Sequence, residues 1–510
     1  MRYSTLLPLL GLAASPLLAG ADSVADYFSN LAPTTRSVLL HNVTGPEAGA
    51  DPGIVAAVIP DASHPEFSIY WIRDACLVYN VWLNELIALG DKSLRPLMDD
   101  VTLALVRSQH VESLSGSIFN GGLEEPVFYL NLSFIREASF RPGSPAADGP
   151  PFRAAMLIKY ADWLLEPAQN NGTWVADNLW PAINLDLQWI SRTWNQSSYD
   201  LWWPPVWGGS YWTAALQYRA LIAGARLGHK IGRHDTVVDY PKKAALVLDY
   251  MQSFWNPVEG FMTETTITDV ALGRSGVGSA ALTASVYNYD QNLGCDPLTF
   301  QPCSDRALSA LKVVGDKFKA MFPLTAHTPA NKPGWFGFFT EDQFIGGQVR
   351  HLITSLLPLN SRVQQPQFFS TFNSAEQLYA ALNTWDNIGS LSITPVSLKF
   401  FVQFDKNVKV GTYAKSSKTY RQLTVAIRSY ADEIVGIMAK GTPTDFVLTE
   451  SVDKVTGEPF GPPGMIRSLA AALGAVDTYE GMAPPSWSFP KKHIAGYDGL
   501  DGQFHFDSYA

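Results

Sequence analysis

Apolar residues recur along this chain at intervals of three and four, the spacing that places them on one face of a helix. Leu308, Leu311, Val314 and Phe318 follow it, with Phe322 continuing the stripe. Leu378, Leu382 and Trp385 do the same, as does the stretch from Leu423 to Ile437, and Val101 to Val106 predicts the core of another helix. Ala154 to Leu165 differs, being apolar on nearly every face, which predicts an inner helix with no side turned to water. Gly- and Pro-rich breaks separate these segments, for example Pro142 to Pro151 and Pro459 to Gly464. Alternating strand patterns are few and short. About a dozen helices joined by long loops follow from this pattern. An all-α toroid of paired helices is one way to bury so many apolar faces, and periodicity alone leaves other large helical folds open.

Composition narrows this picture. A length of 510 residues predicts about three domains, yet no Ser/Thr-rich or Pro-rich tract and no fixed-period repeat divides the chain, so one large domain is expected. Apolar residues make up 46% and charged residues 16%, enough for a large core and contrary to disorder. The net charge is −10 and the basic residues are scattered, which argues against a nucleic-acid partner. Most of the 15 Trp and 20 Tyr must be core, and the rest can line a cleft with aromatic platforms.

The N-terminus reads as a secretory signal over residues 1–21. Arg2 supplies a positive charge, Leu6 to Leu18 the apolar stretch, and Ala19-Gly20-Ala21 a small-x-small cleavage site. The mature domain is then expected over 22–510, starting near Asp22. No later apolar run reaches the roughly 18 residues that a membrane span needs, so a soluble, secreted product without a membrane partner is expected. Sequons at Asn42, Asn131, Asn171 and Asn195 fit that route as glycosylation sites. Cys295 and Cys303 share a turn-rich loop in which an oxidising compartment lets them pair, leaving Cys76 as a buried free thiol. Three cysteines without clustered histidines make no zinc site, and no cofactor is expected.

Several ordered segments resemble one family. Tyr70-Trp71-Ile72-Arg73-Asp74, Gly122-Leu123-Glu124-Glu125-Pro126, Asp148-Gly149-Pro150, Trp194-Asn195-Gln196, Tyr199-Asp200-Leu201-Trp202, Cys295 through Cys303, Ala375-Glu376-Gln377-Leu378-Tyr379 and Glu450 with Asp453-Lys454 stand in the order found in the fungal glucoamylases, glycoside hydrolase family 15. The resemblance runs over nearly all of the mature chain. It implies an all-α fold of the (α/α)6 toroid type, a monomer, and inverting exo-hydrolysis of α-1,4-glucan ends. It also implies that the starch-binding module carried by many relatives is absent after Trp487.

Inversion needs two carboxyl groups roughly 6.5–9.5 Å apart, one protonating the leaving oxygen and one activating water on the opposite face. The resemblance puts Glu450 in the base position. It puts Arg73 and Asp74 at the hydroxyls of the terminal glucose, where a guanidinium fork and an accepting carboxylate orient a polar sugar. A structural Arg–Asp ion pair at a helix start is the plainer reading of the same residues. Trp71 reads as a wall of that pocket or as core, Asp200 and Trp202 match residues beside the acid, and Phe140 falls in the segment that closes the family's cleft.

The acid itself is missing. Where the family carries a pair of glutamates, this chain has Trp203 and Pro204, and no Asp or Glu stands between Asp200 and Asp235. The cleft-closing Trp-Gly-Arg-Pro becomes Phe140-Arg141-Pro142, a further tryptophan becomes Gln367, and the tryptophan downstream of the base becomes Arg467. A positioned general acid is worth about 10²–10⁴-fold, so starch turnover is expected to be weak or lost. Three readings follow. The first is a glucoamylase-like hydrolase using a distant carboxylate such as Asp200 or Glu125. The second is a repurposed enzyme acting on an apolar or secondary-metabolite ligand against Trp202, Trp203, Pro204 and Pro205. The third is a non-catalytic secreted glycan binder.

Overall fold

The structure, a computed structural model, describes residues 21–44, 50–58, 67–137, 144–197, 199, 201, 208–268, 274–342 and 365–489. Residues 1–20 of the expected signal segment 1–21, and the candidate residues Phe140, Asp200, Trp202, Trp203 and Pro204, lie outside the described residues.

Among the described residues, twelve helices of eight residues or more alternate along the chain between an outer and an inner layer. They are α1 (Ala21–Asn42), α2 (Ile72–Ala88), α3 (Arg95–Gln109), α4 (Gly149–Leu164), α5 (Trp180–Thr193), α6 (Tyr211–Lys230), α7 (Tyr240–Gln252), α8 (Ala280–Tyr287), α9 (Asp305–Met321), α10 (Phe368–Ile388), α11 (Lys418–Gly441) and α12 (Ile466–Tyr479). The even-numbered helices pack in sequence, α2 on α4, α4 on α6, α6 on α8, α8 on α10 and α10 on α12, and α12 returns to α2, closing a ring of six. The odd-numbered helices cover it: α1 lies on α12, α3 on α2, α5 on α4, α7 on α6, α9 on α8 and α11 on α10. This is the (α/α)6 toroid.

The two layers follow from the two kinds of apolar pattern. On α11 the buried residues Tyr420, Leu423, Ile427, Ala431, Ile434, Val435 and Met438 form one stripe, so one side faces the ring and the other faces water. On α4 nearly every residue is buried, as an inner helix requires. That helix begins at Gly149, inside the break expected from Pro142 to Pro151. Pro150 and Pro151 occupy its first turn, where a missing N–H leaves no hydrogen bond unmade. The stripe of α9 ends one residue past the helix at Phe322, which is buried all the same. Side-chain oxygens of Ser210, Ser304 and Ser417 cap α6, α9 and α11. Strand structure among the described residues is confined to five two-stranded antiparallel pairings within the connecting segments.

Cys295 and Cys303 are disulfide-bonded, and Cys76 is a buried free thiol on α2. Asn131 and Asn195 are exposed and Asn171 is half-buried. Asn42 departs from expectation. It is fully buried at the end of α1 and its Nδ2 donates to the Gly464 carbonyl at 3.1 Å, so the folded chain has no room for a glycan there. No helix of the described residues is long and apolar enough to cross a membrane.

Candidate active site

The inner helices begin at one common mouth of the toroid, and the segments entering them are stitched together. Tyr70–Trp71 pairs with Val127–Phe128, and Ile72 N donates to Pro126 O at 2.9 Å, which sets the start of α2. Phe368 N, opening α10, donates to Glu450 O at 3.2 Å, and Ile466 N, opening α12, donates to Ala57 O at 3.1 Å. Side chains in the first turns of α2 and α12 are thereby brought to the same end.

Arg73 and Asp74 stand in the first turn of α2, both buried. Arg73 Nε donates to Asp148 Oδ2 in a short contact, and its Nη1 donates to the Leu201 carbonyl at 2.9 Å. Asp148 Oδ2 also accepts from Trp212 Nε1 at 2.8 Å. Asp148 precedes α4 and Trp212 lies in the first turn of α6, so three inner helix starts converge on one carboxylate oxygen. The guanidinium therefore belongs to a structural ion pair, and it also fixes Leu201, the described residue next to the missing-acid loop. The indole of Trp71 lies 5.9 Å below the Arg73 guanidinium and packs with Ala57, Ile69, Val127 and Ile135. Burial pushes the Asp74 carboxyl above the usual range, against the opposing pull of Arg467 and then Arg73.

Glu450 precedes the short strand Ser451–Val452, which pairs with Pro459–Phe460. Gly461, at φ +93°, then passes so close that a β-carbon there would lie 3.2 Å from Glu450 Cβ, so glycine is needed on both counts. The Glu450 side chain is 1% exposed. Its Oε1 forms a short ion pair with Arg467 Nη2, and its Oε2 has no hydrogen-bond partner among the described residues. Burial raises its pKa most; Arg467 opposes that and Asp74 adds to it. Arg467, in the first turn of α12 and 8% exposed, stacks its guanidinium 5.6 Å from the Phe338 ring. Gln367, where the resemblance puts a tryptophan, is buried before α10 with Nε2 donating to Gln365 O at 3.3 Å.

The structure thus brings Arg73, Asp74 and Glu450 to one mouth, with the Arg467 guanidinium against Glu450. Glu125 is buried and accepts from Ser115 Oγ at 2.9 Å, while its neighbour Glu124 accepts from Trp189 Nε1 at 2.8 Å. Sequence reasoning missed the roles of Asp148 and Trp212 and saw Arg467 only as a lost tryptophan. The signal for Arg467 was present, because a lone cation ahead of Ser468-Leu469-Ala470-Ala471-Ala472-Leu473 on a buried helix demands an anion. Among the described residues no cluster of three or more His, Cys, Asp or Glu could hold a metal ion.

Comparison with known proteins agrees with this architecture. The family model "Glycosyl hydrolases family 15" matches residues 34–464. Glucoamylase-1 of Schizophyllum commune is 38% identical over 485 residues, covering 94% of this chain and 78% of that protein. The glucoamylase of Neurospora crassa is 34% identical, covering 91% of this chain and 70% of that protein. The solved glucoamylase of Hypocrea jecorina superposes with a TM-score of 0.82 at 33% identity, over 91% of this chain and 74% of that one. With a family model spanning most of the toroid and relatives above 30% identity along nearly its whole length, the chain belongs to glycosyl hydrolases family 15.

Proposed function

We propose that this protein is a secreted, glucoamylase-like protein whose toroid mouth takes the non-reducing end of an α-1,4-glucan and hydrolyses it poorly. The observation that carries the reading is the state of Glu450: the carboxylate in the base position is buried and committed to Arg467. A base must face water, and this one faces a guanidinium. The loss of the acid at Trp203 and Pro204 removes a further factor of about 10²–10⁴. Asp74, buried at the same mouth, is the group left to accept hydroxyl hydrogens of a terminal glucose. The names of the relatives, all glucoamylases, support the substrate class.

The same ion pair favours a second reading, a glycan binder without turnover. The reading as an enzyme for an apolar ligand rests on Trp202 and Trp203, outside the described residues. Two measurements on secreted protein test the proposal. Calorimetry with maltooligosaccharides should show binding that Asp74→Asn weakens at least about tenfold, the scale of one lost charge-assisted hydrogen bond. Glucose release from the same oligosaccharides should lie at least about 10²-fold below that of a family member with its acid in place. No binding, or binding indifferent to Asp74→Asn, removes the glucan-end reading. Release at the normal family rate removes the attenuation.

A further inference from the structure

The charged groups at the mouth pair in two different ways. Arg73 and Asp148 join the starts of α2 and α4, and Trp212 from α6 completes that junction, which has the look of a structural clamp. Arg467 and Glu450 join the entry to α12 to the one carboxylate placed to activate water. Nothing else in the first two turns of α12 calls for a cation: Ile466, Leu469, Ala470 and Leu473 are fully buried and apolar. Among the described residues Arg467 Nε has no hydrogen-bond partner, and the side chain is held by Glu450, by the face of Phe338 and by attraction to Asp74.

We propose that Arg467 is the residue that sets whether this site hydrolyses a glycosyl substrate or merely binds it, by holding Glu450 in an ion pair that excludes the attacking water. This rests on reading the mouth as a glucoamylase-type site. In the hydrolytic step a water O–H bond breaks, its proton passes to a Glu450 oxygen, the water oxygen bonds to the anomeric carbon, and the glycosyl bond breaks with its electrons going to the leaving group. The proton needs a carboxylate oxygen open to water. Oε1 is covered by the guanidinium, whose positive charge also lowers the oxygen's basicity. Oε2 lies on the side of Gly461, within a side chain that water scarcely reaches. The ion pair disables the base by occupancy, independently of the missing acid.

α-D-Glucosyl fluoride isolates this effect, because fluoride leaves without a proton and the acid no longer matters. With the full chain, Arg467→Ala vacates the guanidinium volume and should raise fluoride turnover at least about tenfold, a part of what a positioned base supplies. The gain should appear at high pH and fade as pH falls, since an unpaired buried Glu450 must lose its proton before it can act. Arg467→Lys keeps a cation at the site and should stay near the parent rate. Adding Glu450→Gln to Arg467→Ala should abolish the gain. A folded Arg467→Ala protein without a gain, or a gain that survives Glu450→Gln, overturns the proposal.

A test that leaves Arg467 in place covers the case in which its variants do not fold. A crystal structure of the parent chain with glucose bound should show Arg467 on Glu450 Oε1 and no water held between Glu450 and the anomeric carbon. A water held there by a Glu450 oxygen means that the base is free to act, and the proposal fails. Maltooligosaccharide binding separates the two levels: binding that depends on Asp74, with no gain from Arg467→Ala, sinks this inference alone. Absence of binding sinks the reading on which it rests.

Discussion

The toroid has polar groups at both ends of its axis, and the two ends treat charge differently. At the mouth, buried charges stand in opposite pairs, Arg73 with Asp148 and Arg467 with Glu450. Further along the inner helices lies a cavity of about 30 Å³ lined by Asn84, Arg219, Glu376, Asp477 and Thr478 among others. There pairing is looser, with Arg36 Nη2 3.9 Å from Asp477 Oδ1. Lys159 Nζ donates to Asn80 Oδ1 at 2.9 Å and also to Asn84, and Arg219 donates to the Tyr287 carbonyl, so both cations bond neutral oxygens. Burial pushes Glu376 and Asp477 up to about 8, each in the presence of another carboxylate. It pushes Lys159 well down and Arg219 down to about 10. In a medium that penalises charge, one end keeps its ions by pairing them and the other end sheds charge by moving protons. Paired ions at the mouth leave a site that can still orient a polar ligand. Protonated carboxyls at the far end leave a less charged lining.

The largest expected effect breaks the pairing at the mouth. Asp148→Asn removes the charge opposite Arg73 while keeping the shape, and should lower unfolding stability by about 3–5 kcal/mol, because the guanidinium is left buried without its anion. Urea unfolding monitored through the many tryptophans would read it. The same isosteric change at the far end, Asp477→Asn or Glu376→Gln, should cost less than about 1 kcal/mol at pH 6, since both carboxyls already hold protons there. A similar cost at both ends would erase the distinction.

The next effect is in pH. Glu376 and Asp477 keep their protons in the folded chain up to about pH 8, while in the unfolded chain they release them near their ordinary values of 4.5 and 3.8. Their contribution to stability is therefore fully present below about pH 4 and is lost as pH rises toward 8. Stability attributable to the pair should fall across that window by on the order of a few kcal/mol, and the double variant Glu376→Gln/Asp477→Asn should flatten the slope. Thermal unfolding at a series of pH values, parent against double variant, would decide it. A profile that the double variant leaves unchanged places the proton uptake elsewhere.

The smallest effect sharpens the comparison from outside. Lys332 and Glu433 form an ion pair at the surface, with both side chains well exposed. Glu433→Gln should change stability by no more than about 0.5 kcal/mol. A loss approaching that of Asp148→Asn would mean that burial does not govern these pairs.

How far these features could be read in the sequence depended on how local they were. The stripe from Leu423 to Ile437 and the all-apolar Ala154 to Leu165 gave outer and inner helices directly, because helix period and burial are properties of adjacent residues. Closure of the ring came from resemblance alone, since no periodicity says that α12 returns to α2. Arg73 and Asp74 were legible as a motif, but their setting was not: Asp148 is 75 positions away, and whether Arg73 faces a sugar or a carboxylate is decided by the meeting of helix starts. Arg467 was visible as a departure from the family, and its meaning was hidden because a substitution was weighed as an aromatic lost and not as a cation gained. Asn42 shows the opposite failure. Its sequon is complete over three residues, yet the amide is consumed by Gly464, 422 positions further on.

The ring's closure also sets a clock. The outer helix α1, Ala21–Asn42, packs against α12, Ile466–Tyr479, and against α11, so the first described helix is covered by the last described one. At a synthesis rate of about 5–20 residues per second, its partner arrives roughly 20–90 s later. For that interval Phe28 lacks Tyr479 of α12, whose ring it meets edge-on in the finished fold. The ring closes only when α12 has been made, so the face of α1 that α12 covers stays open until then.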